Sequence, residues 1–237
     1  MKLRPTTVDA LILTLWGVAG GVWLWASGLD IALQGWLYAN YNQTFNDKMR
    51  LLSQLSLGRS QLIALFGLGA AAVLWRGGVC GLLRALNLTA QQWRHWLRGK
   101  QGWLAAWAET PTLTRYAFTA IGVLVVSGVC QILLKIIVGR PRPKEWLWNG
   151  TDPYTWAPFG FDATFWSLPS GHTTSTFAIF VWLAFGFPRW RVPLLIAAVV
   201  LACSRFLAVT PHYLGDVVAG AALGTAVALW VWGWARG

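Results

Sequence analysis

The sequence predicts an all-α polytopic membrane protein, a bundle of six transmembrane helices with both termini cytoplasmic and an additional interfacial amphipathic helix. Three observations lead there. The 237 residues are 56% hydrophobic and only 11% charged, against about 25% charged in an ordinary soluble domain. Mean hydropathy is +0.51, which excludes disorder as well, because a disordered chain lacks this much apolar surface. The charges that do occur gather between long apolar runs, as short basic loops beside membrane spans do.

A spanning helix needs about 20 mostly apolar residues. The first span is the uncharged run from Ala10 to Leu29. Lys2 and Arg4 before it resemble the start of a signal peptide, but the run exceeds the roughly 7–15 apolar residues of such a peptide, so a retained anchor is expected. A second span begins near Ser60 and runs past Arg76, whose long side chain can snorkel to the interface. The third is the uncharged run Tyr116–Leu134, and the fourth extends from Gly171 to Phe187, before Pro188. The fifth starts near Val192 and is the weakest, because Arg205 interrupts it; the sixth runs from Val217 to Ala235. Between the second and third, Thr89 and Gln92 form a capping-box pattern. Trp93, Trp96, Trp103 and Trp107 follow at helical spacing with Arg94, Arg98 and Lys100, which reads as an amphipathic helix in the inner headgroup layer. The chain is expected to be one domain, 1–237, with a catalytic core over roughly 114–237.

The net charge is +11, with 19 Lys and Arg against 8 Asp and Glu. Eleven of the basic residues fall on the side of the termini and eight on the other, which places the termini in the cytoplasm. The 135–170 and 204–216 segments then face outward. The basic residues form no continuous stripe, so a nucleic-acid partner is not expected. Cys80, Cys130 and Cys203 lie in apolar stretches without CxxC spacing, so neither a disulfide framework nor a zinc site is expected.

Ionisable residues at membrane depth are costly and mark function by default. Three clusters of them fall near the outer face: Lys135 to Pro143, Pro169-Ser170-Gly171-His172, and Ser204-Arg205 followed by His212 to Asp216. Lys135, Arg142 and Arg205 offer three cations suited to phosphate oxygens. Ser170 and Gly171 open a helix, where free N–H groups and the dipole favour an anion. His212 and Asp216 are four apart, expected on one helix face, so that the carboxylate can hold the Nδ1 proton and leave Nε2 nucleophilic. His172 can protonate a departing alkoxide and then activate water. Phosphoryl transfer through a phosphohistidine follows, with no metal and no cofactor required. Singly, each residue also has an ordinary role as interfacial anchor, loop cation or helix cap; it is their coincidence on one face that points to chemistry.

These clusters resemble the signature of the type 2 phosphatidic acid phosphatase superfamily, which also includes bacterial acid phosphatases and vanadium haloperoxidases. The signature reads Lys, six residues, Arg-Pro, here Lys135 to Arg142-Pro143; then Pro-Ser-Gly-His, here Pro169 to His172. Its third part is Ser-Arg, five residues, His, three residues, Asp; here six residues, Phe206 to Pro211, separate Arg205 from His212. On a continuous helix that insertion would rotate Arg205 by about 100° relative to His212, whereas Pro211 suggests a non-helical turn able to absorb it. The resemblance implies a six-helix membrane core and metal-independent lipid-phosphate hydrolysis. It implies that Lys135, Arg142, Ser170, Gly171 and Arg205 hold the phosphate, with His172 as acid, His212 as nucleophile and Asp216 as its orienting partner. Gly139 to Pro143 and the long loop before Pro169 bear a weak similarity to lipid A 1-phosphatases.

The expected function is therefore a multi-pass plasma (inner) membrane lipid phosphatase acting at the periplasmic or exterior face. Its partners would be the bilayer and a phosphorylated lipid: a polyprenyl diphosphate, phosphatidylglycerol phosphate, phosphatidic acid or lipid A. No obligate protein partner is inferred. A lipid-to-lipid phosphotransferase and a phosphate-recognising lipid transporter are the alternatives, the latter disfavoured by the His212–Asp216 pair, which recognition alone does not require.

Overall fold

The computed structural model describes residues 7–55, 112–209 and 211–236. One compact unit comprises Met1–Ser60 and Gly122–Gly237; the other, Gln61–Ile121, is described only over 112–121, the opening turns of a long helix. Among the described residues regular structure is helical, apart from one isolated bridge pairing Arg140 with Trp166.

Helix α1 covers Thr7–Ala26 and stops where Gly28 takes φ 77°, a left-handed turn open to a residue without Cβ. The corner leads into α2, Leu29–Ala39, and then α3, Gln43–Gln54, whose first turn is capped by Asn42 accepting from the Phe45 N–H at 2.9 Å. Helix α4 is Thr112–Val138; α5, Pro143–Asn149, begins with proline at its first turn, where no N–H is needed. A single 3₁₀ turn, Ala163–Phe165, precedes α6, Gly171–Gly186. A second, Pro188–Trp190, leads into α7, Arg191–Leu207, and α8, Leu214–Arg236, closes the chain.

Four described helices are long and apolar enough to cross a membrane: Thr7–Ala26, Phe118–Val138, Pro188–Leu207 and Leu214–Ala235. Helix α6 has 16 residues and falls short of that length. It is nevertheless central, burying residues around its whole circumference, among them Thr173, Thr174, Thr176, Ile179 and Trp182. Helix α8 packs against α1 on one side and α6 on another, and α7 packs on α6 and α3. Small residues permit this closeness. A Cβ on Gly17 would stand 2.1 Å from the Ala222 Cβ, and one on Gly224 would stand 2.3 Å from the Thr174 carbonyl oxygen. Gly17/Gly21 and Gly220/Gly224 each repeat at four-residue spacing, one small face per helix turn.

Several boundaries differ from the sequence expectation. The first span ends at Ala26 rather than Leu29, because the Gly28 corner intervenes. Helix α4 continues through Lys135 to Val138, and α7 continues through Arg205 to Leu207, so both cations ride on helix ends instead of terminating them. Helix α8 starts three residues earlier than Val217. The second expected span and the tryptophan-rich amphipathic helix lie outside the described residues.

Candidate active site

The first turn of α8 organises the site. Asp216 lies there, where the helix dipole favours a carboxylate. It is completely buried, so its lone pairs must be satisfied by protein groups. The Tyr213 N–H donates to Oδ2 at 2.9 Å, the Ser167 hydroxyl donates to the same oxygen, and Arg140 Nη1 donates to Oδ1 at 2.8 Å. His212 Nδ1 stands 3.4 Å from Oδ2, within ion-pair reach but without the alignment of a formed hydrogen bond. The sequence expectation placed His212 and Asp216 on one helix face. They do meet, but for a different reason: His212 precedes α8, which begins at Leu214, and the Asp216 carboxylate folds back over the helix start. Burial holds the His212 imidazole far below its ordinary range, at about 3, against the opposing pull of Asp216. It is a neutral ring with a nitrogen lone pair across the physiological range.

Arg140 is the residue that sequence reasoning passed over, as an ordinary loop cation. It is completely buried and bridges two carboxylates, Asp216 at 2.8 Å and Asp30 of α2 at 2.9 Å. Its guanidinium carbon lies 3.9 Å from the Tyr213 ring centroid and 5.1 Å from that of Trp25, both aromatic faces suited to a cation. Asp30 in turn accepts from the Gly215 N–H at 2.9 Å. A chain of charges thus joins the α1–α2 corner to the start of α8. The available signal was Asp30 itself, an acid directly after an apolar span that needed a partner at depth.

The expected phosphate ligands come from three further elements. Lys135 occupies the last turn of α4 and is buried; Arg142 immediately precedes α5 and its N–H donates to the Thr164 carbonyl at 3.1 Å. Ser170 caps α6 without using its hydroxyl to do so, and its own N–H donates to the Asp216 carbonyl at 2.9 Å, tying α6 to α8. Gly171 lies under Gln131 of α4: a Cβ there would stand 2.4 Å from Gln131 Oε1, so no larger residue fits without displacing that side chain. His172 of α6 is within electrostatic range of Arg205, His212, Lys135 and Arg142 together, and Lys135 is within range of Arg142, Asp216 and Arg205. Arg205 is anchored by donating from Nη1 to the Ser53 hydroxyl of α3 at 3.0 Å. The extra residue before His212 falls mostly in the connection between α7 and α8, as Pro211 suggested.

Among the described residues no carboxylate lies within ion-pair distance of Lys135, Arg142 or Arg205. The Nε groups of Arg142 and Arg205 are buried with no hydrogen-bond partner. Buried cations with free donors favour an anion brought from outside the chain. The loop above is aromatic: Trp156 donates from its indole to the Val138 carbonyl at 2.7 Å, and Trp156, Phe159 and Phe161 are largely exposed. The loop's tryptophans are structural ties and apolar surface at once.

Comparisons with known proteins identify the family and the fold. Two curated relatives, both named lipid A 1-phosphatase, are 41% identical to this chain. The one from Rhizobium etli aligns over 109 residues, 46% of this chain and 44% of its own length. The one from Rhizobium johnstonii aligns over 101 residues, 43% and 40% respectively. The alignment thus spans less than half the length of these relatives. Among solved structures, a transmembrane PAP2-type phosphatidylglycerolphosphate phosphatase from Bacillus subtilis superposes with a TM-score of 0.62 over 96% of both chains at 17% identity, a likeness of fold. The profile of the PAP2 superfamily matches residues 116–237, which is over half of the chain and contains all three clusters, so this membrane-embedded helical protein belongs to the PAP2 superfamily.

Proposed function

We propose that this protein hydrolyses a phosphomonoester or diphosphate on the head group of a membrane lipid, through a phosphohistidine on His212, at the outer face of the plasma membrane. The observation that carries the reading is the trio of cations, Lys135, Arg142 and Arg205, gathered around His172 with no carboxylate within ion-pair distance of them among the described residues. An incoming phosphate completes their charge balance, and its developing equatorial charge is what such a cage stabilises. Neutral His212 attacks phosphorus with its Nε2 lone pair while Asp216 holds the ring by Nδ1. The P–O bond to the lipid breaks, and His172 supplies the proton that the departing oxygen takes. His172 then removes a proton from water, whose oxygen attacks the phosphohistidine; inorganic phosphate leaves and both rings return to their starting state.

The names of the two relatives support a lipid A-type 1-phosphate as substrate. The excess of Lys and Arg on the terminal side supports an outward-facing site. The test is phosphate release by the purified chain in detergent with chelator present, across lipid A, phosphatidylglycerol phosphate, phosphatidic acid and polyprenyl diphosphate. Release that disappears in His212→Ala is expected. Retained turnover in that variant defeats the phosphohistidine route, and transfer only when an acceptor lipid is supplied replaces hydrolysis by phosphotransfer.

A further inference from the structure

A cavity of about 440 Å³ is lined by Tyr38, Tyr41, Asn46, Arg50 and Trp148, on helices that also carry or support residues of the phosphate cage. Trp148 is on α5, the helix that starts directly after Arg142. Asn46 and Arg50 are on α3, the helix whose Ser53 anchors Arg205, and the Ser53 hydroxyl donates to the Arg50 carbonyl at 2.6 Å. Arg50 is also close enough to act on Arg205 electrostatically. Through Arg50 the cavity lining comes within electrostatic range of the cage at Arg205.

The lining has a definite chemistry. Tyr38, Tyr41 and Trp148 are exposed aromatics, 42%, 47% and 61% accessible, and the volume lies within the range of about 300–1,000 Å³ typical of small-molecule sites. Asn46 is only 4% exposed. Its Nδ2 donates to the Tyr41 hydroxyl at 3.3 Å, while its Oδ1 is buried and has no partner. A buried amide oxygen left unpaired is costly, and what satisfies it is a hydrogen-bond donor. Acyl and prenyl chains carry none, and ionised phosphate carries acceptors only. A sugar ring carries hydroxyl donors on its edge and apolar C–H faces that lie flat on tyrosine and tryptophan, while Arg50 donates to its oxygens.

We propose that this cavity is a sugar subsite, holding a hexose or hexosamine ring of the lipid whose phosphate occupies the cage. The inference rests on the phosphatase reading and narrows its substrate to phosphorylated glycolipids. The test uses the full chain in detergent with two probes, an acylated glucosamine disaccharide 1-phosphate and dioleoyl phosphatidic acid. In Trp148→Ala and in Asn46→Leu the ratio of kcat/KM for glycolipid over phosphatidic acid is expected to fall about tenfold, the loss lying mainly in KM, and Trp148→Phe to restore most of it. A ratio unchanged in both variants overturns the subsite. A binding measurement in the His212→Ala background separates the two readings. Glycolipid affinity that Trp148→Ala weakens in that background supports the subsite, and if the chain with His212 intact also releases no phosphate from any lipid, the phosphatase reading is defeated while the subsite stands. Normal turnover with affinity indifferent to Trp148 and Asn46 defeats the subsite alone.

Discussion

Two groups of cations, buried or half-buried, lie near one another here and differ in their partners. Arg140 is neutralised by Asp30 and Asp216 and enclosed by Tyr213 and Trp25. Lys135, Arg142 and Arg205, close by, have no carboxylate within ion-pair distance among the described residues, and the Nε groups of Arg142 and Arg205 have no hydrogen-bond partner. A buried charge matched by carboxylates holds structure together, whereas one without them favours an anionic ligand; burial and idle N–H groups, which Arg140 also has at Nε and Nη2, do not tell the two apart, but the carboxylates do.

The largest expected effect comes from the proposed nucleophile: His212→Ala should lower kcat by about 10⁴ or more with little change in melting temperature, read by phosphate release and by thermal unfolding in detergent. Replacing one arginine from each group then breaks the comparison cleanly. Arg140→Leu leaves two buried carboxylates facing each other and should destabilise by about 3–5 kcal/mol. Arg142→Leu should leave the melting temperature within a degree or two and lower kcat/KM by about 10²–10³. Equal thermal losses in the two variants would erase the distinction. A finer probe is protonation. Because burial keeps His212 neutral down to about pH 3, its ring resonances should not titrate between pH 5 and 8, where an ordinary histidine changes near about 6.5. A midpoint inside that window would show the ring to be solvated. Smallest of all, Ser53→Ala removes one hydroxyl behind Arg205 and should raise KM by about two- to fivefold, since a single hydrogen bond to a charged group is worth about 1.5–3 kcal/mol only where no water replaces it.

The contrast also marks how much could be read in advance. The residues of the proposed phosphate cage could be named from the sequence because short-range spacing carries them: Pro169 to His172 is contiguous, and Lys135 and Arg142 flank one helix end. Among the described residues the long helices were legible from apolar runs, whereas the shorter α2, α3 and α5, which carry no span-length apolar run, were not, and Arg205 proved compatible with a continuous α7. The neutralised group was not legible, because Asp30 and Arg140 are 110 positions apart and only the packing of α1 against α8 unites them. The His212–Asp216 contact was anticipated on helical periodicity, yet it arises from a carboxylate reaching back over a helix start. Spacing predicted proximity without predicting the conformation that delivers it.

The two counter-ions of Arg140 also differ in when synthesis supplies them. Asp30 is made 110 residues before the arginine and Asp216 only 76 residues after it. During translation, then, the guanidinium emerges with an upstream carboxylate already in existence. Once the last helix has been added, the same guanidinium takes up a second carboxylate without releasing the first, so a pairing available early in synthesis ends as a clasp between the two ends of the chain.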